Sequence, residues 1–460
     1  MKLSRFSKIK LVKPDVYAVF NTLMMKVLFL SEEEKTALEN LDFSPDDKKT
    51  YLECGIIVDD DQKDDLALGS VMREFEAMEK EIAVLYLILS SGCNLACRYC
   101  FIENSMYNNK CELNMSLDVV DAAVNKYCDY VKAKKIDKPL ILFYGGEPLL
   151  NWAAIERTMS IVKSKGVYME YSIVTNATLL DEDKVKFLAE HEVEIGISID
   201  GPKDLNDKNR IYRNSSSSVY DKVTEKIQLL KKYNAKFGLS ITVSQDLLDH
   251  KAEFFEWIKQ YGVKDIFYNL YHFTDKAEWE DYYKQACQFL FESHEILSGL
   301  GIHDGRLQRK LDSFFDGSFK FADCASIGAN QLTIKPNGDM CVCQGYHKSD
   351  QYVIGNIRDV DLEKLQDTDE FSFWVSRAPL KNPKCLDCEA LFICGGGCAM
   401  QAEALFGNRA ELDIPFCQHS KSALEWLLLR SYELALEDKN WKEDFAHAEA
   451  WQEKGGRAAE

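Results

Sequence analysis

The chain has 460 residues, enough for two or three domains, and its 46% hydrophobic content is that of a globular protein with a large core. A formal net charge of −19 argues against broad binding to a phosphate backbone, so nucleic acid is not an expected partner. No apolar run reaches membrane-spanning length, and the basic residues 1–13 lack the apolar centre of a signal peptide, so a cytoplasmic protein without a membrane partner is expected. The 15 cysteines are odd in number, and eleven of them fall in clusters. In a reducing compartment such clustering reads as metal ligation rather than a disulfide framework. Cys54, Cys111, Cys128 and Cys287 stand outside any pattern and read as ordinary thiols.

Residues 1–80 read as a separate unit. Alternation over 16–30 predicts paired strands, and Ser31 followed by Glu32, Glu33 and Glu34 is a capping-box-like helix start. A second helix near 48–54 ends at Gly55, a short strand follows at 56–58, and the acidic run 59–65 reads as a solvated linker. From residue 82 apolar runs alternate with helical stretches. The runs fall at 84–89, 140–144, 171–174, 194–199, 238–243 and 265–270, and the helices at 116–134, 152–165, 181–191, 219–233 and 248–261. This pattern predicts an α/β protein with a parallel sheet covered by helices. A partial (β/α)6 TIM-like barrel suits the count, and a doubly wound sheet is also compatible with it. Either way, function belongs on the loops after the strands' carboxyl ends. A further amphipathic, aromatic-rich helix at 279–297 reads as core packing.

The loop after the first strand carries Cys93, Cys97 and Cys100 at C-x3-C-x2-C, with Tyr99 before the last cysteine. Structural zinc and an ordinary iron–sulfur cube take four protein ligands, whereas three thiolates on a cube leave one iron open for a small molecule. After the second strand comes Gly145-Gly146-Glu147-Pro148, where paired glycines let backbone approach a ligand and the carboxylate and carbonyls suit a cationic amine. The third strand ends in Thr175-Asn176-Ala177-Thr178, and the fourth in Ser198-Ile199-Asp200-Gly201-Pro202, with Asp207 and Arg210 just beyond. An arginine there can clamp a carboxylate in a fork geometry.

These motifs, in this order on successive strand ends, resemble those of the radical S-adenosylmethionine (SAM) enzymes. The resemblance implies that Cys93, Cys97 and Cys100 hold a catalytic [4Fe–4S] cluster. It implies that Gly145, Gly146, Glu147 and Pro148 meet the methionyl amine of SAM. Ser198 and Asp200 are then placed for ribose hydroxyls, substrate or the SAM carboxylate, Arg210 for a carboxylate, and Tyr99 beside the cofactor. Ala177 stands where the family has glycine, so no special backbone conformation is expected there.

A second cysteine field follows: Cys324, Cys341, Cys343, Cys385, Cys388, Cys394, Cys398 and Cys417. Its spacing resembles the SPASM domain of radical SAM enzymes that modify peptides and proteins. The resemblance implies two auxiliary [4Fe–4S] clusters, three clusters in all. One is held by Cys385, Cys388, Cys394 and Cys417, the other by Cys324, Cys343 and Cys398. The fourth ligand of the latter is Cys341, if C-x-C on a strand turns both side chains to one face, or else an iron is left for substrate. Two zinc sites are the alternative for the field as a whole. Gly395, Gly396 and Gly397 would let backbone amides approach a cluster.

The expected organisation is a winged-helix-like leader-peptide recognition domain at 1–80, the radical SAM partial barrel at 81–310, a SPASM domain at 311–435 and a tail at 436–460. The expected activity is maturation of a ribosomally made peptide. A 5′-deoxyadenosyl radical from SAM takes a hydrogen atom, and a thioether is installed from a cysteine sulfur to carbon. Sulfatase-maturing relatives carry an aspartate after the cysteine that Cys343 matches; this chain has Gln344, which cannot accept a proton at neutral pH. Carbon–carbon cross-linking, formylglycine formation and a non-catalytic iron–sulfur or zinc scaffold are the alternatives. Expected partners are a precursor peptide and an external electron donor such as flavodoxin or ferredoxin.

Overall fold

In the computed structural model, which describes residues 1–78, 80–102, 114–273 and 279–437, the six apolar runs are six strands. They are β1 (Val84–Ser90), β2 (Leu140–Gly145), β3 (Glu170–Thr175), β4 (Glu194–Ser198), β5 (Phe237–Val243) and β6 (Asp265–Leu270). Every neighbouring pair is parallel, and the strands stand side by side in sequence order. A doubly wound sheet reverses direction at a switch point. This one does not, so the barrel-like reading holds. Residues facing the helices, such as Ile173, Ile195, Ile197, Leu239 and Ile241, are buried at every second position.

The sheet continues beyond both edges of the six. β7 (His303–Asp304) pairs in parallel with β6, while β8 (Gln331–Ile334) pairs in parallel with β1, Thr333 opposite Tyr86. β9 (Met340–Cys341) lies antiparallel to β8. The C-terminal region is therefore attached to the first barrel strand by backbone hydrogen bonds. The covering helices match the periodicity, except that 248–261 divides into Gln245–Asp249, capped by Ser244, and Lys251–Ile258. The helix Trp279–Ser298 buries its aromatic stripe in the core, as expected. Three further helices matter below: α1 (Gly305–Asp316), α2 (Ala399–Phe406) and α3 (Ile414–Glu437).

The N-terminal region is richer than its pattern predicts. It contains a three-stranded antiparallel meander, Ser7–Lys13, Val16–Asn21 and Val27–Ser31, of which the first strand was not expected. Ser31 forms the capping box with Glu34. The acidic run is not a linker: Asp60 caps the helix Asp61–Ala77, and Asp64 is buried, accepting hydrogen bonds from Ser4 Oγ (2.5 Å) and Arg5 N (2.9 Å). The unit is also not free-standing. Ala18, Phe20 and Met25 share one core with Leu307, Leu311, Phe392, Leu424 and Leu427, and Lys10 and Lys13 reach Glu389, Glu425 and Glu433. Among the described residues no helix is long and apolar enough to cross a membrane. Cys128 and Cys287 are buried and Cys54 half-buried, as ordinary thiols; Cys111 and the tail from 438 lie outside the described residues.

Candidate active site

The cysteine loop follows β1 and is held from below by the end of β2. Gly146 N donates to Ser90 O (2.8 Å) and Glu147 N to Gly92 O (2.9 Å). A Cβ on Gly145, whose φ is +140°, would stand 2.1 Å from Ser90 O, and one on Gly146 would stand 2.2 Å from Gly92 O. No side chain fits there. The paired glycines thus bring backbone against the cysteine loop itself.

Glu147 has its carboxylate turned inward, 1% exposed. Its oxygens accept from Leu149 N (3.0 Å), Thr175 Oγ1 (2.6 Å) and Asn176 N (2.9 Å). Burial pushes its pKa up to about 7 against the pull of these donors. The side chain joins the ends of β2 and β3. Pro148 starts the short helical turn that Glu147 caps.

The β3 end grips the loop from the side. Asn176 Nδ2 donates to Asn94 Oδ1 (2.9 Å) and approaches Cys93 Sγ at 3.8 Å, while Asn94 Nδ2 donates to Thr178 Oγ1 (2.9 Å). Ala177 adopts φ +60°, so the left-handed turn is kept without glycine, contrary to expectation.

Asp200 and Arg210 meet each other inside the protein. Both are buried, and the arginine fork closes on the chain's own Asp200 through Nε (2.9 Å) and Nη2 (3.0 Å). Asp200 also accepts from Thr242 N (2.9 Å) and from the Tyr99 hydroxyl. The Arg210 guanidinium also stands 5.5 Å from the Tyr99 ring centroid. Together the three residues tie the last turn of the cysteine loop to the ends of β4 and β5. Arg213 adds a clamp from Nε to Cys93 O (2.8 Å). Ser198 remains half-buried on the β4 face, opposite Ser240, whose hydroxyl accepts from Asn269 Nδ2 (2.9 Å).

Desolvation pushes Cys93 up to about 12 and Cys97 to about 11, with Cys97, Cys100 and Cys93 within electrostatic range of one another. Bare thiolates would be unfavourable there; a cationic iron core removes the penalty. The donor set therefore suits a cluster. An open pocket of about 400 Å³ abuts Cys93, lined also by Asn94, Leu150, Tyr212 and Arg213.

The second cysteine field resolves into two groups. Cys385, Cys388, Cys394 and Cys417 interact mutually, and three of them, with Gly396 and Gly397, line a cavity of about 120 Å³. Among the described residues no three His, Cys, Asp or Glu side chains close to single-ion distance. Here the thiols surround a space instead. A Cβ on Gly395 would stand 2.5 Å from Asp323 N, and one on Gly397 would stand 2.5 Å from Asp413 Cβ. These glycines therefore let neighbouring chain segments in close. Cys324, Cys343 and Cys398 form the other group. Cys341 lies beside this group, within electrostatic range of Cys343. β9 ends at Cys341, so the same-face rule fails for Cys343; the Cys341 thiol donates to Cys343 O (3.4 Å) and sits among Lys335, Glu370 and Asp339. Asp413 ties the two groups, accepting from Cys398 N (2.9 Å) through its carboxylate and from Cys417 N (2.9 Å) through its carbonyl.

Some functional candidates escaped sequence reasoning. Tyr86 and Tyr144 meet edge-on with centroids 5.8 Å apart; Tyr144 feels both Cys100 and Cys343, Tyr86 both Cys343 and Cys324. They stand between the first cysteine set and the auxiliary one. Beyond β6, Tyr271 and His272 contact Tyr99 and Phe101, and the Gln401 amide of α2 bonds both backbone groups of Phe273. Only their position after a strand end, on the side where the cysteine loop lies, could have flagged them.

A barrel-like parallel sheet with these strand-end motifs and a cysteine-rich extension defines a radical SAM enzyme, which uses SAM and a [4Fe–4S] cluster. Residues 87–258 match the radical SAM superfamily and residues 324–389 the SPASM iron–sulfur cluster-binding domain. The chain belongs to this family and has a SPASM domain, which binds auxiliary iron–sulfur clusters. It is 28% identical over 373 residues to the radical SAM cyclopropyl synthase TigE of Paramaledivibacter caminithermalis, covering 76% of this chain and 75% of that one. A cysteine-type anaerobic sulfatase-maturating enzyme of Clostridium perfringens is 25% identical over 380 residues, covering 77% and 98%. The uncharacterized protein MJ0907 of Methanocaldococcus jannaschii is 33% identical over 286 residues, covering 61% and 91%. Among solved structures, native anSMEcpe with bound AdoMet matches with TM-score 0.66 at 24% identity, over 77% of this chain and all of that one. Streptococcus suis SuiB bound to precursor peptide SuiA matches with TM-score 0.51 at 16% identity, over 91% and 99%.

Proposed function

We propose that this protein matures a ribosomally made peptide by installing a thioether from a cysteine sulfur to carbon. The observation that carries the reading is the three-cysteine group Cys324, Cys343 and Cys398: three thiolates on a cube leave one corner for a substrate thiolate. The likeness to sulfatase-maturating enzymes and to a precursor-bound maturase supports a peptide substrate. The open edge strand Val27–Ser31 of the N-terminal meander, paired on one side only, suits addition of a leader strand. Cys93, Cys97 and Cys100 hold the SAM cluster, with the Gly145–Pro148 turn and Ser198 toward SAM. Cys385, Cys388, Cys394 and Cys417 hold the second auxiliary cluster.

When bound, SAM and the reduced cluster supply a 5′-deoxyadenosyl radical, and the auxiliary clusters hold the surplus electron. The chain's own part is positional. Glu147, Asn176, Asp200 and Arg210 fix the cysteine loop; Tyr86 and Tyr144 wall the space between cysteine sets. Forming each link removes one hydrogen atom from carbon, one proton from the thiol and one electron. Gln344 Oε1 accepts from Gln331 Nε2 (2.7 Å) and lies 3.7 Å from Cys343 Sγ. An amide there takes no proton at neutral pH, which disfavours the sulfatase-type aldehyde product. The setting is cytoplasmic, with flavodoxin or ferredoxin as electron donor.

The test is anaerobic reconstitution, iron and sulfide counting, and SAM cleavage with a cysteine-rich precursor peptide followed by mass spectrometry. The expected result is about 12 irons per chain, four per cube, and a mass loss of two hydrogens per link. An aldehyde product, or linkage that persists when the peptide cysteines are replaced, refutes the thioether.

A further inference from the structure

Helix α1 carries Arg306, Arg309 and Lys310 on consecutive turns, and Lys310 is 1% exposed. Its ammonium has no carboxylate at ion-pair distance among the described residues. Nζ donates to Ser420 Oγ (3.1 Å) and, at longer range, to Ile393 O (3.4 Å), and stands 4.6 Å from the Phe416 ring centroid. Ile393 precedes Cys394, Phe416 precedes Cys417, and Ser420 lies one helical turn beyond Cys417. All three contacts thus belong to two of the segments that present cysteines to the 120 Å³ cavity. Asp323, the acid whose charge reaches Lys310, is beyond contact with it and faces Arg309 at 3.9 Å.

A buried cation with no acid at contact distance is unfavourable, and two arginines on the same helix make it worse. A cube held by four thiolates is anionic, and more so when reduced. We propose that Lys310 is the built-in counter-cation of the Cys385/Cys388/Cys394/Cys417 cluster and raises its reduction potential, making it the better electron acceptor of the auxiliary pair. Lys310 touches neither substrate nor iron; it is a positioning residue acting through charge. The inference rests on the cluster assignment proposed above.

The experiment uses full-length reconstituted protein with Cys93, Cys97 and Cys100 replaced by alanine, so that only auxiliary clusters report. Potentiometric titration followed by electron paramagnetic resonance compares Lys310 with Lys310→Gln, which keeps hydrogen-bond donors without charge, and with Lys310→Arg, which restores it. In Lys310→Gln one of the two auxiliary signals is expected to lose at least tenfold in its reduced-to-oxidised ratio at fixed potential, about 59 mV for one electron. Lys310→Arg brings it back. Unmoved signals, equal movement of both, or no recovery with arginine overturns the proposal. Should Lys310→Gln lose a cluster's iron, retention by Lys310→Arg supports the charge role and equal loss refutes it. Cys385→Ala separates the two readings: unchanged iron in that variant sinks the cluster assignment, whereas lost iron with an unmoved Lys310→Gln potential sinks the role of Lys310 alone.

Discussion

Asp200 concentrates more of the site's rigidity than any other side chain. It joins Arg210, Tyr99 and the backbone of β5 in a buried cluster, and removing one partner strands the others. Asp200→Ala is expected to cost about 3–5 kcal/mol, as for a broken buried ion pair, read as a lower urea midpoint, and to reduce iron retained at the first site. Glu147 makes a pH-dependent contribution. Its folded pKa of about 7 exceeds the ordinary 4.5, so the protonated form favours the fold. That contribution is complete below pH 4.5 and is lost as pH rises through about 7, with a swing of about 3 kcal/mol. In Glu147→Gln the urea midpoint should vary less with pH across this window. Cys341→Ala should leave the iron count intact, whereas Cys343→Ala should remove about four irons per chain; equal losses would return Cys341 to the ligand set.

Among the elements, the glycine turn after β2 makes the sharpest demand. Gly146→Ala places a carbon against Gly92 O, where backbone must move. The first cluster should be lost and SAM cleavage abolished, while about eight auxiliary irons remain by iron analysis. Strand-end motifs of this kind were legible because period-2 burial and the glycine and cysteine spacing are local signals. The left-handed turn at Ala177 was not legible, because contacts from Asn176 and Thr178 hold a conformation that alanine alone disfavours. The partners of Asp200 and Arg210 were also hidden: their types suit an external ligand equally well, and only the fold brings residues ten apart face to face. The strand Ser7–Lys13 did alternate in sequence, as Lys8, Ile9, Lys10 and Leu11, but its basic residues drew attention to targeting instead. Lys10 and Lys13 in fact reach acids near and on α3.

For the whole molecule, the shared core between the N-terminal meander and helices α1 and α3 means that the N-terminal unit and the auxiliary domain are one mechanical body. Deleting residues 1–78 would expose Leu307, Leu311, Leu424 and Leu427. The truncated protein should aggregate or melt at markedly lower temperature by differential scanning fluorimetry. A truncation that stays folded and merely loses affinity for its peptide would refute this coupling.

The parallel pairing of β8 with β1 also bears on how such proteins diversify. The strand that presents the first cysteine loop is hydrogen-bonded on its other edge to the strand leading toward Cys341 and Cys343. Distances between the two redox regions are therefore set by strand register rather than by docking of a tethered module. Chimeras that exchange auxiliary regions must preserve the Gln331–Val84 alignment; a one-residue slip would turn Thr333 and Gln331 to the opposite face. Crossovers placed before β8 with its native partner strand retained should yield active hybrids, whereas joints within β8 should not.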